Sequence, residues 1–251
     1  MTSRVNSSAS NWQQDCAALI PCFNEAATIG DIVRTAREHL PTVFVVDDGS
    51  TDDSVARAIE GGAEVVRHAT NRGKGAALLV GFQHLRDRGF IWALTLDGDG
   101  QHAVKNIPDF FRCAESTRAA LVIGNRLTEC QKIPWLRRRV NRWMTRRLSR
   151  RAGVTFADSQ CGFRLVNLAA LAALPLASDH FEIESEMLLA FAAESWRIEF
   201  VPVEVIYKPR TSKIHPLIDT WRWIRWWLTT RPRGAAALKI LRPLQEIPVA
   251  H

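Results

Sequence analysis

The chain has 251 residues, of which 47% are hydrophobic and 24% charged, and its formal net charge is +7. This composition is that of a folded protein and excludes a disordered chain, and the length allows one sizeable core. The longest uncharged stretch, residues 165–178, is too short to cross a bilayer. The five cysteines are odd in number and form no CxxC pair. They favour reduced thiols in a cytoplasmic protein over a disulfide framework or a zinc site.

Short apolar runs alternate with helix-like segments along the first half of the chain. Residues 1–15 lack the apolar core of a signal peptide, so we expect a flexible lead-in there. Strands are then predicted over 16–21, 42–48, 63–68, 91–97 and 119–125, with helices between them that include 26–40 and 75–88. The alternation predicts βαβ units and therefore an α/β fold with a mostly parallel sheet flanked by helices.

The second half of the chain has a different pattern. A loop is predicted over 158–164, a helix over 180–195 and a strand over 198–207. We expect one domain over 16–234, made of a first, ligand-binding half at 16–125 and a second half at 126–234, followed by a tail at 235–251.

Polar clusters follow three of the predicted strands, at 23–25, 47–50 and 97–102. Parallel sheets bind ligands at the carboxyl ends of their strands, so these clusters are predicted to converge on one site. A carboxylate such as Asp48, at the end of a buried strand, is well placed for a ribose hydroxyl or a base N–H. A role limited to capping the next helix is the alternative.

The segment Asp97-Gly-Asp-Gly-Gln101 places oxygen-bearing side chains at alternate positions after a strand. Asp97, Asp99 and Gln101 could therefore face one ligand, and such hard oxygen donors suit Mg²⁺ or Mn²⁺. A turn with solvated aspartates is the alternative, because Asp-Gly is a strong turn signal. Lys74 lies between two glycines at a predicted helix start, and a helix N-terminus is a favourable place to bind an anionic group. The spacing of a Walker loop and the GxGxxG pattern are both missing.

Basic charge is concentrated in residues 132–151, which hold one lysine and eight arginines and no acid. Apolar residues recur there at helical spacing, at positions 136, 140, 143, 144 and 148. A basic amphipathic helix of this kind is typical of a membrane interface. The alternatives are a solvated face on a core-packed helix and a nucleic-acid contact.

Four of the nine tryptophans lie within residues 221–227, interleaved with Arg222 and Arg225. Indole rings are favoured at the headgroup level of a bilayer. This second segment favours an anionic membrane surface over nucleic acid. We therefore predict two interfacial helices and no transmembrane segment, with the protein bound to the inner face of the cytoplasmic membrane. A membrane-protein partner is a further possibility.

Seven short motifs then occur in a recognisable order: LIPCFNEAATI, VVDDGSTD, NRGKGAAL, LDGDGQH, IGNRL, DSQCGFR and SKI. Over residues 16 to 230 or so, the chain resembles family 2 glycosyltransferases of the GT-A fold. It is most similar to the branch of dolichol-phosphate mannose synthases and other polyprenyl-phosphate glycosyltransferases. The resemblance implies a UDP- or GDP-sugar donor, Mg²⁺ or Mn²⁺, and a polyprenyl phosphate or other lipid-linked acceptor.

The resemblance also implies roles for individual residues. The implied nucleotide-sugar contacts are Pro21, Phe23, Glu25, Val46, Asp48, Lys74, Gly98, Asp99 and Lys213. Asp99 and Gln101 would bind the metal, with Asp97 in or beside its coordination shell. Arg126 would bind a phosphate group of the donor or the acceptor. Tyr207 departs from the pattern, because the family carries an arginine at this position.

The acceptor determines whether a general base is required. A hydroxyl acceptor requires one, and Asp158 and Glu184 are the candidates. A phosphate acceptor is already anionic and would be bound by Arg126, Arg137 and Asn141. Glu182 and Glu186 share a face of their predicted helix while Glu184 points elsewhere, and a solvated helix face is the alternative for all three. We expect an inverting transfer to a polyprenyl phosphate. A hydroxyl-acceptor enzyme and a catalytically silent nucleotide-sugar binder remain the alternatives.

Overall fold

A computed structural model describes residues 11–126, 135–206 and 216–230, and within them seven strands form one sheet. The strands are β1 Cys16–Cys22, β2 Val43–Asp47, β3 Glu64–Arg67, β4 Trp92–Thr95, β5 Leu121–Asn125, β6 Arg164–Asn167 and β7 Ile198–Pro202. The five strands predicted in the first half are confirmed. β1 extends one residue beyond its prediction, to Cys22, and the other four strands are shorter than predicted. The strand predicted over 198–207 stops at Pro202.

Helices connect and cover the strands. They are α1 Trp12–Asp15, α2 Ile29–Arg37, α3 Ser54–Glu60, α4 Lys74–Asp87, α5 Ile107–Thr117, α6 Trp135–Ala152, α7 Leu168–Ala172, α8 Glu182–Ala193 and α9 Pro216–Thr229. A short 3-10 turn, Val104–Asn106, precedes α5. Along the described ranges, no helix combines the length and apolar character needed to span a membrane.

The strand order is β3-β2-β1-β4-β6-β5-β7. All neighbouring pairs run parallel except the two that involve β6, which is antiparallel to both β4 and β5. Strands from both halves of the sequence therefore pair in a single, mostly parallel sheet. Residues 164–167 were not predicted as a strand, and Arg164 was assigned to a loop. In the structure, Arg164 begins β6 and pairs with Thr95 at the end of β4.

The core lies on both faces of the central strands. Residues 16–20 of β1 and all of β2 are buried, because helices cover a parallel sheet on both sides. On α2, Ile29, Ile32, Val33 and Ala36 face the sheet at helical spacing, and the opposite side of the helix is polar.

The end of the lead-in predicted over 1–15 is folded. Residues 12–15 form α1, and the ring of Trp12 stacks on Phe111 with 4.4 Å between the ring centroids. Residues 1–10 and the predicted tail 235–251 lie outside the described residues.

Candidate functional site

Loops that follow β1, β2 and β4 meet at the carboxyl edge of the sheet. The backbone N–H of Asn24 donates to Ser50 Oγ at 2.8 Å, and that of Thr51 donates back to Asn24 Oδ1 at 2.8 Å. The Thr28 hydroxyl donates to the carbonyl of Gly98 at 2.6 Å. These bonds bring together the three polar clusters, as the sequence predicted.

The carboxylate of Asp48 accepts hydrogen bonds from the loop between β3 and α4. Its Oδ1 accepts hydrogen bonds from His68 Nδ1 at 2.8 Å and from the backbone N–H of Arg72 at 2.9 Å. Its Oδ2 accepts from the backbone N–H of Gly73 at 2.7 Å. Gly73 has φ of 99°, and a Cβ there would collide with the carbonyl oxygen of Asp179, so only glycine suits the position.

Lys74, which is predicted to contact an anionic ligand, lies between two carboxylates of the protein. Its Nζ donates to Asp97 Oδ1 and to Glu184 Oε1, each at 2.5 Å. Burial alone would lower the pKa of Lys74, but the charges of Asp97 and Glu184 raise it above the ordinary value. Lys74 therefore remains an ammonium group that joins the start of α4, the loop after β4 and helix α8.

Asp97 is enclosed by groups from both halves of the chain. Burial would raise its pKa, but the nearby charges of Lys74, His102 and Arg126 hold that pKa well below its usual range. Its backbone N–H donates to His102 Nδ1 at 3.2 Å. The loop before β6 passes so close that a Cβ on Gly162 would lie 2.5 Å from Asp97 Oδ1. A side chain at 162 would therefore displace this carboxylate.

The oxygens of Asp97, Asp99 and Gln101 fit a divalent cation by their chemistry. Burial and the neighbouring charge of Asp97 raise the pKa of Asp99, which indicates repulsion between the two carboxylates. A cation between them would relieve that repulsion. Within the described ranges, no three His, Cys, Asp or Glu side chains are grouped to hold a metal. The set predicted from the sequence has only two carboxylates and one amide. Mg²⁺ often binds through one or two carboxylates and keeps several waters.

Arg126 and Asp158 form a two-point ion pair beside this cluster. Arg126 Nε lies 2.8 Å from Asp158 Oδ2, and Arg126 Nη2 lies 3.1 Å from Asp158 Oδ1. Burial would raise the pKa of Asp158, but Arg126 lowers it below the ordinary value.

This geometry argues against both candidates for a general base. Asp158 is 1% exposed and ionised against Arg126, and Glu184 is buried against Lys74. Arg126 stabilises the anionic form of Asp158, which makes this carboxylate a weak proton acceptor at neutral pH. Glu184 Oε1 already accepts a hydrogen bond from Lys74 Nζ.

The solvated-face interpretation of the three glutamates on α8 is wrong. Glu182, Glu184 and Glu186 are all buried. Glu186 Oε2 accepts from the backbone N–H groups of Ala177 and Ser178, at 3.1 and 2.8 Å. Spacing on the helix did not predict this, because α8 is covered on more than one side.

The predicted apolar stripe of α6 divides between the core and the surface. Met144 and Leu148 are buried, whereas Leu136 and Trp143 are exposed, as is the neighbouring Trp135. Of the two acceptor-phosphate candidates on α6, Asn141 is buried and Arg137 is half-buried.

Helix α9 is anchored by one tryptophan and exposes others. Trp223 is 3% exposed, stacks on Trp227 at 5.3 Å, and donates its indole N–H to Ser185 Oγ at 3.0 Å. Trp221 is 60% and Leu228 77% exposed. Trp223 therefore belongs to the core, while part of α9 presents apolar side chains to solvent. Lys213 and Tyr207 lie outside the described residues.

Comparison with known proteins identifies the family. The model described as "Glycosyl transferase family 2" matches residues 17–174, which is more than half of the chain. The chain belongs to glycosyltransferase family 2.

Two relatives of this glycosyltransferase carry informative names. The UDP-N-acetylglucosamine–dolichyl-phosphate N-acetylglucosaminyltransferase of Methanococcus voltae is 26% identical over 212 residues, covering 75% of this chain and 84% of that protein. The undecaprenyl-phosphate mannosyltransferase of Micrococcus luteus is 29% identical over 202 residues, covering 75% of this chain and 82% of that protein.

A solved structure confirms the GT-A fold of the glycosyltransferase. It is glucosyl-3-phosphoglycerate synthase from Mycobacterium tuberculosis, in complex with Mn²⁺, UDP and glucosyl-3-phosphoglycerate. The two chains superpose with a TM-score of 0.65 at 20% identity, over 85% of this chain and 77% of that one.

Sequence reasoning missed several residues of the site. His68 and Gly162 were not singled out, although His68 directly follows a strand and Gly162 lies within one of the seven motifs. Ser185, which accepts hydrogen bonds from both Trp223 and Gln160, gave no signal in the sequence.

Proposed function

We propose that this glycosyltransferase moves a hexose from a UDP- or GDP-sugar to a polyprenyl phosphate, with inversion, at the inner face of the cytoplasmic membrane. The names of the relatives from Methanococcus voltae and Micrococcus luteus support a lipid phosphate as acceptor. The Mn²⁺ and UDP in the mycobacterial structure support a metal-dependent nucleotide-sugar donor.

One observation favours a phosphate over a hydroxyl acceptor. Both candidate bases, Asp158 and Glu184, are paired with a cation and buried. A hydroxyl would have to lose a proton to such a base, whereas a phosphate monoester is already anionic at neutral pH. The arrangement therefore suits an acceptor that needs no deprotonation.

In the proposed reaction, an oxygen of the acceptor phosphate attacks the anomeric carbon. The bond from that carbon to the donor diphosphate breaks, and the nucleoside diphosphate leaves with the electron pair. Arg126 would stabilise phosphate charge beside the site, and the electrostatic effect of Arg126 on Asp97 is consistent with its lying close by. A bound Mg²⁺ or Mn²⁺ would supply Lewis-acid stabilisation of the departing diphosphate. Asp99 and Gln101 would hold this ion, with Asp97 beside them.

The nucleotide is proposed to bind across the loops after β1, β2 and β4, against Pro21, Phe23, Glu25, Val46, Asp48 and Gly98. A Cβ on Gly98 would lie 3.2 Å from Glu25 Cγ and 3.4 Å from the carbonyl oxygen of Pro21, so this glycine lets two of the loops approach closely. Contacts from Lys213 to the donor diphosphate, and from Arg137 and Asn141 to the acceptor, remain proposals.

The membrane-facing part of the proposal depends on α6 and α9. These helices contact each other through Trp143 and Trp223, whose ring centroids lie 5.5 Å apart. Both expose apolar side chains and carry arginines. Each basic residue close to an anionic leaflet contributes about 1 kcal/mol. An acceptor with a polyprenyl tail would lie in the same membrane.

The deciding experiment uses the purified full chain with Mg²⁺ or Mn²⁺, anionic vesicles and a panel of labelled UDP- and GDP-sugars. Polyprenyl phosphate and the corresponding polyprenol are supplied in parallel, and label is counted in the organic phase. We expect metal-dependent transfer to the phosphate only, none with Asp99→Ala, and a product of inverted anomeric configuration by NMR.

The alternatives give different results. Transfer to the polyprenol, abolished by Asp158→Asn or Glu184→Gln while donor binding survives, would establish a hydroxyl acceptor. Donor binding without turnover on any acceptor would indicate a silent binder. A retained anomeric configuration would exclude inversion.

A further inference from the structure

The carboxylate of Asp48 has few acceptor positions left for a ligand. An ionised carboxylate offers about four lone-pair positions, two on each oxygen. Among the described residues, His68 Nδ1 and the N–H of Arg72 occupy Oδ1, and the N–H of Gly73 occupies Oδ2. Asp48 itself is 3% exposed. One acceptor position, on Oδ2, remains.

His68 is fixed in the position that saturates Oδ1. It directly follows β3, its backbone N–H donates to the carbonyl of Asp47 at 2.8 Å, and its side chain is buried. Its Nε2 is buried and has no hydrogen-bond partner among the described residues. The tautomer that fits carries its proton on Nδ1, facing the carboxylate. Displacing this N–H would leave a buried carboxylate oxygen short of a donor, which is costly.

Guanine and uracil make different demands on such a carboxylate. Guanine presents two adjacent donors, N1–H and the exocyclic amine, which a carboxylate binds side by side with both of its oxygens. Uracil presents a single ring donor, N3–H, between two carbonyl groups. With Oδ1 already saturated, guanine would leave one of its two donors without an acceptor, whereas uracil needs only the position on Oδ2.

We propose that His68 is a specificity-determining residue, which restricts Asp48 to one ligand N–H and so selects a uridine nucleotide over a guanosine nucleotide. This inference rests on the proposed function in one respect, the placement of Asp48 at the nucleotide base. It narrows the donor from a UDP- or GDP-sugar to a UDP-sugar.

The test is calorimetric binding of UDP, GDP and CDP to the full chain in Mg²⁺, which requires no acceptor and no turnover. We expect UDP to bind the wild-type protein at least tenfold more tightly than either of the others. His68→Leu removes the donor to Asp48 and is expected to reduce the UDP-to-GDP preference by about tenfold. His68→Asn keeps a side-chain N–H near the position of Nδ1 and should retain most of the preference.

His39→Leu is the matched control, because His39 lies near the end of α2, at the opposite edge of the sheet, and should leave all three affinities unchanged. GDP or CDP binding the wild-type protein as tightly as UDP would overturn the inference. So would an unchanged preference in a folded His68→Leu protein, and His68→Asn provides the comparison if that variant does not fold.

This experiment separates the inference from the proposed function. A UDP preference without any transfer to polyprenyl phosphate would support the role of His68 and refute the acceptor. Failure of all three nucleotides to bind would refute both.

Discussion

Arg126 and Asp158 hold each other through two parallel hydrogen bonds, with Asp158 almost fully buried. The pair joins the end of β5 to the loop before β6, so it fixes the position of these two segments relative to each other. A buried ion pair that loses one partner leaves an uncompensated charge, and this loss is far larger than for an exposed pair.

Replacing Asp158 by Asn should therefore destabilise the protein by about 3 kcal/mol. Urea unfolding at pH 7 measures this loss. The matched control is Asp31→Asn, which breaks the exposed Asp31–Arg34 pair on α2 and should cost less than about 1 kcal/mol. Similar losses of unfolding free energy in the two variants would show that the buried Arg126–Asp158 pair contributes no more to stability than an exposed pair.

The contribution of this pair should depend on pH in one direction. The folded state lowers the pKa of Asp158, so its stabilisation is fully present above the unfolded value of about 3.9 and is lost as pH falls through the folded value. The stability difference between wild type and Asp158→Asn should be constant between about pH 7 and pH 5, and smaller below about pH 4. Unfolding curves across that range provide the check; a difference that grew on acidification would contradict the assignment.

Gly162→Ala should impair the site through Asp97. Its new Cβ would occupy space within 2.5 Å of Asp97 Oδ1, and a displacement of about 1 Å at a catalytic group can cost about a hundredfold in rate. We expect turnover and Mn²⁺ affinity, measured by electron paramagnetic resonance, to fall together.

Gly89→Ala is the control for a glycine substitution. Gly89 has φ of 84°, and among the described residues no atom outside Gly89 and its two chain neighbours lies within 4 Å of the position that a Cβ would take there. Ala at this position strains the backbone without approaching the site. It should lower stability by about 1 kcal/mol and leave metal affinity unchanged. Equal effects on metal binding in the two variants would refute the specific role of Gly162.

The exposed side chains of α9 should contribute to membrane binding. Trp221→Ala and Leu228→Ala should each weaken partitioning to anionic vesicles by about fivefold, which corresponds to about 1 kcal/mol of apolar burial. Ile59→Ala, at an exposed apolar residue of α3, should have no effect. Vesicle co-sedimentation measures the change. Strong, salt-sensitive binding to duplex DNA with no affinity for vesicles would instead favour the nucleic-acid alternative.

The indole N–H of Trp223 should stabilise the attachment of α9. Trp223→Phe keeps an aromatic ring against Trp227 but removes the donor to Ser185, at an expected cost of about 1 kcal/mol. Trp221→Phe changes the same residue type at an exposed position of the same helix and should be neutral. Thermal unfolding of the two variants distinguishes these outcomes.

The elements that the sequence predicted well are those with strong local patterns. The buried strands of the first half are continuous apolar runs, so their existence and approximate positions along the chain followed directly from the sequence. Strand β6 was missed because it has only four residues and begins with a buried arginine, whose side chain donates to the carbonyls of Cys161, Ser159 and Glu184. No local sequence pattern identifies a buried arginine whose guanidinium group is hydrogen-bonded to backbone carbonyls.

The sequence predicted which residues lie near the site, but it did not predict which side chains form ion pairs with each other there. The aspartates could be placed at the sheet edge, but Lys74 meets Glu184 across 110 positions of sequence. Such a contact depends on how α8 packs beside α4, and a single sequence carries no local signal for it. For the same reason Asp158 and Glu184 could be proposed as bases until their cationic partners were located.

The reversed direction of β6 bears on how enzymes of this shape can diversify. Because β6 runs antiparallel, its first residue, Arg164, lies beside Thr95 at the end of β4. The segment 158–163, which precedes β6, thus lies at the same edge of the sheet as the segments that follow β1, β2 and β4, and its Gly162 packs against Asp97. Changes in 158–163 can therefore alter one side of the site while the segments after β1 and β2 keep their sequence. Under the proposed function, a change of acceptor would then require no change in the segments proposed to bind the donor.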